Sequence, residues 1–245
     1  MTESVEMLTK CLRERFARIF VSDPQLPYTY SPANELDRRL KNEAAILVLF
    51  EKRSDDWYTF FTVRAAGLRL FGGEASFPGG HRERQDKSPV ETALRECEEE
   101  TGLQSSSVHV VGTLKPLISA QQCLIHPVVG LLKQEFTPKP NPSEVQRCFW
   151  TSTRKFLETE GHLKSFPVSG IKMHAFKIDK EIVSGLTANL ITSLSMLLHQ
   201  RHTEFQFGND KTNIAVEDHV HKHFCECYNL IEMFKEESEK TLNRL

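Results

Sequence analysis

The chain has 245 residues and a mass of 28.1 kDa, enough for one domain with additions or for two small ones. Apolar residues make up 39% and charged residues 26%, which fits a globular chain able to bury a core. The formal net charge of -2 excludes a strongly basic nucleic-acid-coating protein and argues against nucleic acid as a partner.

In chain order, residues 3–21 carry Val5, Leu8, Leu12, Phe16 and Ile19 at near-helical spacing. Lys10, Arg13, Arg15 and Arg18 give this helix some likeness to a mitochondrial presequence, but Glu3, Glu6 and Glu14 count against one. Asp23-Pro24 ends the helix, and a linker with Pro27 and Pro32 runs to about residue 40. Strands are predicted at 44–50 and 57–63, then at 108–114, 124–132, 145–151 and 171–178. Helices are predicted at 89–101, 182–200 and 217–238. The run after Ile182 is uncharged, but it is short for a bilayer and interrupted by polar residues, so it reads as a buried helix and no membrane span is expected. The six cysteines show no CxxC spacing and imply reduced thiols in an intracellular compartment. This pattern gives an α+β or α/β sandwich. It divides into an N-terminal helix and linker (1–40), a main domain (41–203) and a C-terminal helical extension (204–245).

The 89–102 segment carries the chemistry. Ser88-Pro89-Val90-Glu91 is a capped helix start, and Gly102 is placed to stop the helix. Val90, Ala93, Leu94, Cys97 and Thr101 form one stripe; Glu96, Glu99 and Glu100 share a flank. Arg95, Glu91 and Glu98 fall towards the other flank. Five Glu and one Arg give a local charge of 1 − 5 = −4 over 89–102. Carboxylates this close repel, and a divalent cation with oxygen ligands (Mg²⁺ or Mn²⁺) would relieve them; a solvated acidic face is the alternative.

Gly80 followed by Arg95-Glu96-Cys97-Glu98-Glu99-Glu100-Thr101-Gly102-Leu103 resembles the signature box of the Nudix hydrolase superfamily. The resemblance implies an α/β/α sandwich with a mixed sheet. It also implies hydrolysis of a nucleoside diphosphate and metal held by Glu96, Glu99 and Glu100. The first glutamate of that box corresponds to Lys87 here, and the adjacent Asp86 could compensate through a longer spacer. Upstream, Thr62, Arg64, Ala65, Arg69, Gly73 and Phe77-Pro78-Gly79-Gly80 resemble the motif of coenzyme A diphosphatases, most closely the peroxisomal ones of animals.

That resemblance implies cleavage of coenzyme A, its esters or its disulfide into 3′,5′-ADP and 4′-phosphopantetheine or an acyl derivative. The substrate would sit on Arg64, Arg69, Gly79, Gly80 and Glu144, since Arg pairs with phosphates and glycines admit them to backbone N–H groups. Glu99 or Glu100 would take the proton of the attacking water, with Glu144 as a second base and Arg95 orienting a glutamate. Another diphosphate (ADP-ribose, NADH, capped RNA) or a non-catalytic binding module of the same fold are the alternatives. Asn243-Arg244-Leu245 resembles a peroxisomal address read by an import receptor, with mitochondrion and cytosol as the other locations. In HVHKHFCEC, only His219, His223 and Cys227 share a helix face, which favours ordinary helix residues over structural zinc.

Overall fold

The computed structural model describes residues 4–21, 43–68, 71–119, 121, 123–168, 170–208 and 214–226. Arg69, Cys227, the 22–42 linker and the C-terminal tripeptide lie outside these residues.

The elements in order are α1 (Val5–Arg15), β1 (Glu43–Arg53), β2 (Asp56–Arg64), β3 (Ala75–Ser76), β4 (Gly79–His81) and α2 (Pro89–Thr101). There follow β5 (Val108–Thr113), β6 (Leu117–Ile118), β7 (Leu124–Leu132), β8 (Val145–Ser152), β9 (His162–Val168), β10 (Ile171–Ile178), β11 (Glu181–Ser184) and α3 (Gly185–His199). A last helix, α4, covers residues 216–226.

The strands form one mixed sheet in the order β5-β7-β1-β2-β3-β11-β10-β9, with β4 on β1, β6 on β7 and β8 on β2. The β1–β7 and β3–β11 pairs are parallel; the others are antiparallel. Alternation along β1 sorts the core into two layers. Ala45, Leu47 and Leu49 pack with Ala93 and Cys97 of α2, whereas Val48 and Phe50 pack with Leu12 of α1 and Leu194 of α3. The result is helix, sheet, helix: α2 on one face, α1 and α3 on the other.

Residues 182–184, expected to open a helix, are instead strand. Ile182 and Val183 are β-branched and pair with Lys177 and Phe176 of β10, and α3 starts only after Gly185 at φ 63°. The short strands β3, β4 and β6 and the exposed hairpin strand β9 were absent from the sequence reading, because their pairing depends on distant partners. Among the described residues, no helix is long and apolar enough to cross a membrane.

Candidate active site

The site is built on α2. Ser88 Oγ accepts from the Glu91 N–H at 3.3 Å, Pro89 opens the helix, and Gly102 closes it at φ 74°. The Glu91 carboxylate accepts from the Lys87 N–H at 2.7 Å. Ala93 and Cys97 anchor the apolar stripe, and burial pushes the Cys97 thiol up to about 12, so it acts as an inert core residue.

Two glycines bring this helix against β4. A Cβ on Gly80 would stand 2.3 Å from Glu96 Oε2, and one on Gly79, at φ 151°, would stand 2.3 Å from the Ala45 carbonyl oxygen. The Gly79 N–H donates to Glu100 Oε2 at 3.1 Å. Thus the three glutamates of the acidic flank are graded in depth. Glu100 is buried, Glu96 lies half-buried against Gly80, and Glu99 is exposed.

Their electrostatics follow from that grading. Burial pushes Glu100 up to about 8; the Gly79 N–H and the Arg64 charge pull it down, while Glu96 and Glu144 push it further up. Burial also raises Glu96, opposed by Arg95 and reinforced by the charges of Glu99 and Glu144. Glu96, Glu100 and Glu144 therefore share one negative field although Glu144 comes from a different loop.

Arg95 organises the acidic flank. Its Nε and Nη2 grip Asp86 at 3.1 and 2.9 Å, and Nη2 also donates to the His81 carbonyl at 3.0 Å. Its Nη1 reaches Glu96 at 2.9 Å and Glu99 at 3.3 Å. The guanidinium thus crosses to the acidic flank, against the other-flank position given by the helical wheel, because a long side chain follows its partners rather than its Cα angle. Asp86 is the partner that the loop supplies. Burial pushes its carboxyl up, but hydrogen bonds from Arg95, the Glu83 N–H and Thr92 outweigh this and hold it below the ordinary range. Asp86, not Lys87, makes the acidic contact to Arg95.

The other sequence-named residues gather at the far end of α2. The Asn141 and Lys139 N–H groups donate to the carbonyls of Glu100 and Thr101 at 2.9 and 2.8 Å, satisfying the orphan helix end. The turn beyond Asn141 then carries Glu144, whose carbonyl accepts from the Ala65 N–H at 2.8 Å. Arg64 ends β2 immediately before that contact. Its Nε–H is buried with no hydrogen-bond partner among the described residues, and its charge acts on Glu100. Arg64, Gly79, Gly80, Glu96, Glu100 and Glu144 are therefore neighbours, with Glu99 and Arg95 at the solvent edge. Sequence reasoning offered Asp86 as a substitute for the first glutamate of the box, but it missed the Asp86–Arg95 contact and the roles of the His81 carbonyl and the 139–144 loop, which depend on the folding of two loops.

The donor set is oxygen-only, which suits a hard divalent cation. Among the described residues, no three His, Cys, Asp or Glu side chains yet converge on one point. Glu96 and Glu99 share Arg95 Nη1, which holds the two carboxylates side by side.

Comparison with known proteins decides the family: the NUDIX domain model matches residues 40–169. The chain belongs to the Nudix family. It is 32% identical to "Peroxisomal coenzyme A diphosphatase NUDT7" of Mus musculus, over 79% of this chain and 83% of that one. It is 36% identical to "Nudix hydrolase 22, chloroplastic" and 35% to "Nudix hydrolase 15, mitochondrial", both of Arabidopsis thaliana. Those matches cover 68% and 69% of this chain but only 58% and 63% of the plant proteins. A solved MutT/nudix family protein from Enterococcus faecalis superposes with a TM-score of 0.42 at 14% identity, covering 78% of this chain and 73% of that one. The protein is a Nudix hydrolase, a family that works with divalent metal ions on small-molecule substrates, and its relatives are named for several compartments.

Proposed function

We propose that this Nudix hydrolase cleaves the diphosphate of coenzyme A, its esters or its disulfide, releasing 3′,5′-ADP and 4′-phosphopantetheine or its acyl derivative. The observation that carries this reading is Arg64: a buried, unsatisfied guanidinium N–H beside the acidic helix end. A buried donor without an acceptor costs free energy, and a phosphate oxygen would satisfy it. The motif around it, Thr62 to Gly80, and the printed name of the mouse relative support the same substrate.

Glu96, Glu99 and Glu100 would hold the ion, Mg²⁺ or Mn²⁺. When bound, the ion supplies neutralisation of the charge that grows on the diphosphate and acidification of water. The protein's own residues do the rest. Arg64, with Arg69 outside the described residues, draws the phosphates in. Gly80 admits the Glu96 carboxylate against β4 and the Gly79 N–H holds Glu100, so the two glycines keep the acidic flank beside the phosphates. Glu99 or Glu100 accepts the proton of the attacking water, with Glu144 as the reserve base on the facing loop. Arg95, fixed by Asp86, positions Glu96 and Glu99 and touches no substrate.

The test is a panel of diphosphates with Mg²⁺ and Mn²⁺: coenzyme A, an acyl ester, the disulfide, ADP-ribose, NADH and capped RNA. The coenzyme A group should show the highest kcat/KM. Preference for ADP-ribose or capped RNA would replace this substrate assignment while leaving the family intact. The printed name of the mouse relative supports a peroxisomal location. The chain carrying a fluorescent protein at its N-terminus should collect in peroxisomes; diffuse cytosolic signal would refute that location.

A further inference from the structure

The chain between β2 and β3 closes on the candidate site. The Gly73 N–H donates to the Arg64 carbonyl and the Arg64 N–H donates to the Glu74 carbonyl, each at 3.0 Å, so both ends of the connection are pinned at Arg64. The next residue, Ala65, donates its N–H to the Glu144 carbonyl at 2.8 Å. The Glu74 N–H donates to the Phe71 carbonyl at 3.1 Å, which turns the chain back towards β3. Gly72 makes the turn possible, since a Cβ there would stand 2.7 Å from the Ala66 carbonyl oxygen.

Phe71 stands out in this turn. Its φ of 57° lies in the left-handed region, which a bulky side chain avoids. It is 48% exposed, and no other Phe, Tyr or Trp among the described residues is exposed. Neither the strain nor the exposure helps the chain fold, and residues held in such backbone regions cluster at active sites and ligand clamps. Two residues of chain, at most about 7 Å, separate Phe71 from the Gly73 that is bonded to Arg64.

We propose that Phe71 stacks on the purine base of the nucleoside diphosphate held at Arg64 and so helps to select the substrate. The inference rests on the reading that Arg64 takes the diphosphate. In coenzyme A the base is one ribose away from the diphosphate, whereas the thiol stands at the end of a long arm. A ring this close to Arg64 along the backbone therefore meets the base rather than the thiol or its acyl group. A flat heterocycle also gains more from an exposed phenyl ring than a branched aliphatic chain does, because the two ring faces can stack.

The test compares three probes by titration calorimetry with Mg²⁺: ADP, inorganic diphosphate, which has no base, and 4′-phosphopantetheine, which carries the other half of coenzyme A. Phe71→Gly should weaken ADP binding about fivefold or more and leave the other two unchanged. Phe71→Leu should lose as much as Phe71→Gly, and Phe71→Trp should retain the affinity. The melting temperature of Phe71→Gly should hold or rise, because glycine adopts that φ without strain. In coenzyme A turnover the same variant should raise KM and leave kcat unchanged. Unaltered ADP affinity in Phe71→Gly, an equal loss on inorganic diphosphate, or a loss confined to 4′-phosphopantetheine would overturn the base contact. Failure of the wild type to cleave coenzyme A would overturn the substrate reading instead, and the ADP comparison would still decide this one.

Discussion

At the scale of single residues, function rests on side chains whose partners are incomplete. Glu100 is buried on one N–H, Glu99 leans on Arg95, and Arg64 keeps an unanswered donor. Glu99→Gln and Glu100→Gln should each lower turnover by about a hundredfold or more, with little change in melting temperature, by steady-state kinetics and calorimetry. Near-normal rates in both would remove the metal assignment. Arg64→Ala should damage coenzyme A turnover much more than that of ADP-ribose; equal loss would deny Arg64 a role in choosing substrate. Asp86→Ala frees Arg95 from its two-point grip and should cost about 2 kcal/mol in denaturant unfolding, together with activity, because Glu96 and Glu99 lose their support. Unaltered stability would mean that the Asp86 contact is incidental. The glutamates themselves were legible in sequence because helix spacing is local. The Asp86–Arg95 contact was not, because it depends on how residues 81–88 fold back along α2.

At the scale of elements, β4 and α2 work as one unit. The absent side chain at position 80 is what lets the Glu96 carboxylate lie against the strand. Gly80→Ala should displace that carboxylate by an ångström or more and reduce kcat by about a hundredfold, while the melting temperature changes little. Gly79→Ala should instead unfold the protein readily, since its Cβ would meet backbone and its φ is unfavourable for other residues. A Gly80→Ala enzyme with full activity would contradict the close approach. The extent of α2 was readable from its cap, its stripe and its stop glycine, all within fourteen or so residues of chain. By contrast, β3, β4 and β11 hold two to four residues each, and their strand character comes from neighbours far away in sequence. That is why the start of α3 was placed three residues early.

At the scale of the whole molecule, the two layers differ in character: α2 holds the acidic residues of the proposed site, and the opposite layer holds a group of neutral histidines. Burial, with help from His162, His223 and Lys172, presses His174 down to about 3; burial, helped by His219, presses His223 down to about 4. Both rings stay neutral in the fold but take a proton in the unfolded chain below its ordinary pKa of about 6.5. Their contribution is therefore complete above that pH and is lost as pH falls towards 4. Each ring should cost about 1.4 kcal/mol by pH 5.5. Melting temperature should drop clearly between pH 7 and pH 5.5, and less in a His174→Asn variant; a flat profile would contradict the neutral cluster. The sandwich was legible as a class because strands and helices alternate in pattern. Which histidines meet was not, since His162, His174 and His223 come together only through the tertiary fold.

The central claim is that the carboxylates of α2 and Arg64 act together on the diphosphate of coenzyme A. Mass analysis of the products formed from coenzyme A with Mg²⁺ in ¹⁸O water tests it most directly. The account predicts 3′,5′-ADP and 4′-phosphopantetheine, with a single ¹⁸O atom on one of the two newly formed phosphate groups. Intact coenzyme A under conditions where another diphosphate is cleaved, or products lacking the label, would contradict it.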